Sequence, residues 1–283
     1  MPSLILNLVR VLPQHLVSRL AGRAAALRLP HAVRRPILAS FGRACGVNFA
    51  EVVGDLDAYE SVQQFFTRPL PPGARPIDPD PHAVVSPCDG RWGASGEVEG
   101  GMLLQVKGRP YALSDLLGGP ENAAPFAGGS FATFYLAPRN YHRFHAPCAA
   151  RVARALYLPG GLWPVNDAGV QGIDGLFARN ERICAFMEAG PRGQSLCLVA
   201  VGATMVGKVK LSFDDLTTNA GVRAPIERRY SPPDHRLEKG QEWGYFEFGS
   251  TIVMVAASGL LRLHSEVPGT ELRLGRRVAS LCG

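Results

Sequence analysis

No stretch of this 283-residue chain holds the ~20 consecutive apolar residues that a membrane-spanning helix needs. No basic leader precedes the first apolar run, so a cleaved secretory signal is not expected either. The six cysteines (Cys45, Cys88, Cys148, Cys184, Cys197, Cys282) include no C-x-x-C pair. That argues against a zinc ribbon or a disulfide framework and for free thiols in a reducing compartment. H-E-x-x-H is absent, no third ligand accompanies His142 and His145, and Cys148 has no partner at ligand spacing, so no metal site is expected. Internal repeats, low-complexity tracts and the G-x-S-x-G elbow of many hydrolases are missing too. Charged residues are few, 19% against 46% hydrophobic, which excludes a disordered chain.

The most instructive absence is local. Residues 1–50 contain no Asp, Glu or Lys, but seven arginines. The whole chain carries +6, so everything after residue 50 sums to −1. Basic character belongs to one end, which speaks against nucleic acid as a partner. The same end is apolar. Leu4, Ile5, Leu6, Leu8, Val9, Val11 and Leu12 precede Pro13. Leu16, Val17, Leu20, Ala24 and Leu27 follow at helical spacing, flanked by Arg19 and Arg23, and Val33, Ile37, Leu38 and Phe41 form a further stripe. Residues 1–48 are therefore expected to be amphipathic helices lying on an anionic membrane, with 49–283 as the second domain. A helical hairpin packed on its own domain, or a dimer contact, would give the same pattern.

With 23 prolines and 32 glycines, short elements joined by turns are expected. Residues 59–78 resemble a connector, with a helical turn through Gln63-Gln64-Phe65-Phe66 before four prolines. Beyond Val84, β-prone runs recur at Ser130–Leu136, Arg151–Leu158, Ile183–Met187, Leu196–Val201, Ile252–Ala256 and Leu261–His264. The expectation is an α+β chain whose main domain is mostly antiparallel β, barrel- or sandwich-like.

The reactive element is Phe248-Gly249-Ser250-Thr251, just before a β-branched run. A serine hydroxyl held against its preceding carbonyl can convert the amide to an ester. Elimination and hydrolysis then leave a pyruvoyl group, and a glycine before the serine grants the backbone freedom this needs. Gly-Ser-Thr is also a common turn. A hydroxyl nucleophile needs a base, and the base an orienting carboxylate. Asp89 in Ser86-Pro87-Cys88-Asp89-Gly90 and His145 in Tyr141-His142-Arg143-Phe144-His145 supply those types, with His142 spare. An H-x-x-H pair can equally be structural.

Taken together these residues resemble the bacterial, membrane-associated, pyruvoyl-dependent phosphatidylserine decarboxylases. The resemblance runs from about residue 48 through Phe65-Phe66-Thr67-Arg68-Pro69-Leu70, Arg75-Pro76-Ile77, the Pro-Cys-Asp-Gly turn, Gln105-Val106-Lys107-Gly108 and Tyr111-Ala112-Leu113. It continues through the histidine cluster, Leu176-Phe177-Ala178-Arg179-Asn180-Glu181-Arg182, Val201-Gly202-Ala203-Thr204 and Gly-Ser-Thr, all in the family's order. Phe248 departs from the Leu or Met common there.

The resemblance implies self-cleavage at Gly249-Ser250 into 1–249 (a β chain) and 250–283 (an α chain) that remain together as a heterodimer, for which a homodimer of heterodimers is a compatible assembly. Asp89, His145 and Ser250 match the processing triad, and His142 matches the histidine placed at the substrate carboxylate. The pyruvoyl group from Ser250 would be the covalent cofactor, forming a Schiff base with phosphatidylserine and yielding phosphatidylethanolamine at the cytoplasmic face of the inner membrane. Lys107, Arg139 and Arg179 are candidates for the lipid phosphate or for surface ion pairs. A serine hydrolase on the same three residues and a non-catalytic membrane adaptor are the rival readings. Only self-cleavage predicts two fragments on a denaturing gel.

Overall fold

The computed structural model describes residues 14–105, 109–204, 208–247 and 250–283. The first apolar stripe (residues 4–12), Lys107, Phe248 and Gly249 lie outside them. Two N-terminal helices come first, α1 (Gln14–Ala26) and α2 (His31–Cys45). The alanines of Ala24-Ala25-Ala26 favour the first. Gly46, at φ 75°, ends the second in the left-handed conformation, where its N–H and that of Val47 satisfy the last carbonyls. A short helix α3 (Val62–Phe66) follows, capped by the Ser61 hydroxyl.

α1 is rotated in a way its pattern does not announce. Ser18 is buried and Ala21, Gly22 and Ala25 are half-buried, while Leu16, Leu20, Ala24 and Leu27 face outward. The small residues pack inward and the leucine stripe is left uncovered. In α2, Leu38 and Gly42 are buried but Val33 and Ile37 are exposed. Leu38 and Val47 join Tyr59 and Phe65 in a small cluster that spans both sides of residue 48.

Strands are numbered from the N-terminus, and every ladder between them is antiparallel. The largest sheet runs β11 (Ile226–Arg229), β7 (Ala150–Leu158), β8 (Arg182–Ala189), β9 (Gln194–Val201), β14 (Thr251–Ala256), β5 (Ser130–Tyr135), β2 (Gly90–Glu97), β16 (Glu271–Leu272). β12 (Arg236–Leu237) adds to β7. A second sheet orders β10 (Val209–Leu211), β13 (Glu242–Phe246), β6 (Arg143–His145), and a third β1 (Ala83–Val85), β17 (Arg277–Leu281), β15 (Leu261–Leu263). A hairpin pairs β3 (Met102–Gln105) with β4 (Arg109–Ala112).

The α+β, antiparallel expectation holds, but the barrel does not: no sheet among the described residues closes. The large sheet ends in β11, whose Glu227, Arg228 and Arg229 are exposed, and in the two-residue β16. Short, charged edges of this kind discourage further pairing. Its centre is the opposite, since every residue of β14 is buried and paired on both sides. Such double-sided burial explains the unbroken apolar run Ile252-Val253-Met254-Val255-Ala256 where half-buried strands would alternate.

Candidate active site

Ser250 sits where the chain leaves one sheet and enters the other. β13 pairs with β6 in the second sheet, and a few residues later Thr251 opens β14 at the middle of the large one. Gly244 allows this strand in, because a Cβ there would collide with Phe144 and the Lys210 carbonyl. Ser250 is wholly buried. Its carbonyl accepts from Leu136 N–H at 2.8 Å, and its hydroxyl donates to the Val201 carbonyl. The next hydroxyl, Thr251 Oγ1, is buried with no hydrogen-bond partner among the described residues.

His145 lies on β6, the strand beside β13. Its N–H donates to the Pro87 carbonyl at 2.7 Å, stitching the strand to the Pro-Cys-Asp-Gly turn. The ring's Nδ1 is 2.9 Å from the Gly240 carbonyl, which fixes Nδ1 as the protonated nitrogen. Nε2 is then the basic one, and the Tyr141 hydroxyl approaches it at 3.3 Å. Burial lowers the ring's pKa, against an opposing pull from the Gly240 carbonyl, Glu242 and Asp89.

Asp89 points to a different partner. Arg75 grips both its oxygens, at 2.8 and 2.6 Å, and Leu274 N–H adds a third bond at 2.9 Å. The other side of Arg75 holds Glu51 at 2.8 Å. The hydrogen bonds to Asp89 raise the Arg75 pKa most, and those to Arg75 lower that of Glu51. The structure therefore brings Asp89 and His145 onto adjoining segments without a bond between their side chains, and Ser250 hydroxyl bonds to Val201, not to His145.

His142 is fully buried against Phe66, ring centroids 4.0 Å apart, with neither ring nitrogen hydrogen-bonded among the described residues. Burial above all, and the nearby Arg68 next, push its pKa down to about 3. The Asn140 backbone favours the charged ring slightly, without reaching hydrogen-bond geometry. A neutral imidazole with two idle nitrogens is the result.

The Leu176–Arg182 motif is scaffold. Asn180 accepts from Trp163 N–H and donates to the carbonyls of Trp163 and Gly202, each at 2.8–2.9 Å. Arg182 spends its guanidinium on the carbonyls of Asp115, Leu116, Ala178 and Asn180. Arg139 pairs with Glu271, an ordinary surface contact. Sequence reading missed Arg75, Glu51 and Tyr141 as neighbours of the site. Arg75 stands in a proline-rich connector, and only contact with Asp89 reveals it.

Two clefts of about 450 Å³ flank this region. One is lined by Trp92, Thr133, Tyr135, Val165, Val170 and Phe177. Tyr135 pairs across the ladder with Thr251, so both project from the same sheet face. The other lies under α1 and reaches Glu247, three residues before Ser250.

An antiparallel α+β scaffold, a buried serine at the head of its central strand and two sequestered histidines in and just before β6 of the second sheet define the class. The family model described as phosphatidylserine decarboxylase matches residues 62–280, and the chain belongs to that family. It is 43% identical to a phosphatidylserine decarboxylase proenzyme of Anaeromyxobacter sp. (strain K), over 96% of both chains. Proenzymes of the same name from Myxococcus xanthus (39%, 88% of both chains) and Brevibacillus brevis (38%, 98% of both) are similar throughout.

Proposed function

We propose that this protein decarboxylates phosphatidylserine to phosphatidylethanolamine after cutting itself between Gly249 and Ser250. The observation that carries the reading, beside family membership, is the placement of Ser250. It is sealed from solvent, with its own carbonyl pinned by Leu136 and the following strand paired on both sides. A hydrolase needs a serine that substrate can reach in the uncut chain, whereas one that attacks its own backbone does not, and substrate need reach residue 250 only after scission. After scission the 34-residue segment from Ser250 to Gly283 would still supply the central strand β14 and two strands of the third sheet. The fragments would thus stay joined as a heterodimer, since parting them would expose the fully buried, mostly apolar β14.

The surroundings suit a pyruvoyl group at residue 250, because Thr251 Oγ1 and both His142 nitrogens are buried polar atoms awaiting partners. That group supplies an electron-withdrawing carbonyl able to bind an amine and accept electrons as carbon dioxide leaves. The chain's own residues do the rest. For processing, the Ser250 hydroxyl must release Val201 and turn to its preceding carbonyl. His145 Nε2, neutral because burial depresses its pKa, takes the proton, and the field of Asp89 stabilises the imidazolium that forms. For decarboxylation, His142 stays neutral beside the substrate carboxylate. An uncharged neighbour gives that carboxylate no ionic stabilisation to lose in the transition state, and a ring nitrogen can carry the returning proton.

The N-terminal helices bring the protein to its substrate. Exposed Leu16, Leu20 and Leu27 on one side, with Val33 and Ile37 on the next helix, suit peripheral insertion at the cytoplasmic face of the inner membrane. No helix among the described residues is long and apolar enough to cross a membrane. Acyl chains cost about 0.8 kcal/mol per exposed CH₂, so an enzyme that takes the headgroup in place avoids extracting them.

The deciding experiment is intact mass and a denaturing gel on purified protein, with a hydrazine probe. Two fragments, the smaller carbonyl-blocked at residue 250, are expected. A single uncut chain inert to hydrazine sinks the reading. His142→Ala should cleave normally and fail to decarboxylate; a wild-type turnover rate removes His142 from the mechanism.

A further inference from the structure

The cleft under α1 is basic. Arg19 and Arg23, one turn apart on the helix, face Lys208 and Lys210 on the β10 side across about 450 Å³. The chain has only four lysines, so two in one cleft is not the by-product of a lysine-rich surface. One carboxylate shares the lining, Glu247, and it is taken by Lys210 at 3.2 Å. Arg19 reaches the His15 carbonyl at 3.3 Å. Arg23 and Lys208 have no carboxylate within ion-pair distance among the described residues. Four cations thus converge on one cavity with a single neutralising charge, and the helix supplying two of them exposes its leucines.

We propose that this cavity binds the phosphate of an anionic phospholipid headgroup other than the reacting one, held while the leucine stripe lies in the bilayer. The inference goes beyond decarboxylation but rests on the membrane-surface reading above. Charge and shape both argue for it. A phosphate offers several strong acceptor oxygens to converging donors, and the cavity stays about 450 Å³ with the Lys210–Glu247 pair formed. The site lies within three residues of the scissile bond in sequence, so lipid capture there would also steady Glu247 at the end of β13.

The test measures equilibrium binding of full-length protein to phosphatidylcholine vesicles doped with phosphatidylglycerol, without substrate, so it is independent of decarboxylation. Self-cleavage and thermal midpoint serve as folding controls. Arg23→Gln with Lys208→Gln should weaken binding roughly thirtyfold, about fivefold per cation. Ala220→Phe occupies the cavity from an exposed lining position without changing charge, and should weaken binding several-fold. Arg43→Gln removes an exposed cation of α2 outside the cavity and should matter less than Lys208→Gln. Competition by inorganic phosphate beyond chloride of equal ionic strength, abolished by Ala220→Phe, would show that free phosphate fits as well and supports the site. Wild-type binding by Ala220→Phe, or equal losses from Arg43→Gln and Lys208→Gln, overturns it in favour of diffuse attraction.

Discussion

The sheet centre around Ser250 and the helix α1 treat apolar residues in opposite ways. In β14 every side chain is buried and both edges are hydrogen-bonded, so the reactive serine is part of the core. In α1 Leu16 and Leu20 face outward, and the inward face is built from Val17, Ser18, Ala21, Gly22 and Ala25. The first region immobilises the backbone beside the proposed scission. The second leaves hydrophobic surface uncovered, which is why membrane contact is proposed for it. The comparison teaches that burial follows the task of a segment more closely than its hydrophobicity.

The strongest blow to the sheet-centre half is Ser250→Ala. It removes the nucleophile while keeping the strand, so processing and decarboxylation should both vanish with little loss of fold. Two fragments on a gel from this variant would break the account. Next in size is Arg75→Leu, which leaves buried Asp89 without its counter-ion and half-buried Glu51 with only Arg273, 3.9 Å away. A loss of about 3–5 kcal/mol in urea stability is expected, with slowed cleavage. Arg75→Lys should recover part of the stability, since one charge remains. If Arg75→Leu unfolds and cleaves like wild type, the network carries no weight.

His142 sharpens the same half through pH. Its pKa is about 3 when folded against an ordinary value of 6.5, so the unfolded chain binds the extra proton between these values. The stabilisation is complete above pH 6.5 and drains away as pH falls toward 3, by at most about 1.4 kcal/mol per pH unit. Unfolding free energies from urea titrations at pH 7 and pH 5 should differ by about 2 kcal/mol from this source, and His142→Phe should remove that difference. An unchanged pH slope in the variant shows that the ring is not held neutral by burial.

The smallest folding effect, and the sharpest test of the outer half, is Leu16→Gln with Leu20→Gln. Exposed positions usually move stability by less than about 0.5 kcal/mol each, whereas insertion into lipid should lose about 1.5–3 kcal/mol per leucine. Vesicle binding should therefore collapse while the thermal midpoint holds. A falling midpoint with intact vesicle binding would mean the leucines stabilise the protein itself. Point substitutions are better than deleting residues 1–48, because that deletion also takes Leu38 and Val47 from the cluster beneath α2.

Much of the scaffold was legible beforehand. The six β-prone runs lie on β5, β7, β8, β9, β14 and β15, and the helical turn before the prolines is α3. The open sheet was not legible, because alternation reports a buried face but not how a sheet ends. Among the site residues, Ser250 stands just before β14 in the large sheet, while His142 and His145 lie just before and at the end of β6 in the second, and the Ser250 hydroxyl bonds to neither ring. Asp89's hold on Arg75 and His145's use of Gly240 depend on contacts across 14 and 95 residues that no local pattern encodes.

What the amino-acid order determined by itself was the chemistry on offer. It fixed a glycine–serine bond ahead of a β-branched run, two imidazoles three residues apart, and an arginine-rich, acid-free end with leucines at helical spacing. Tertiary structure alone decided which way each of these faces. Helical periodicity gives a stripe but not the side on which the rest of the protein will pack, and in α1 the small residues took the inside. Sequence spacing gives a histidine but not its charge, which burial against Phe66 and nearness to Arg68 settle together.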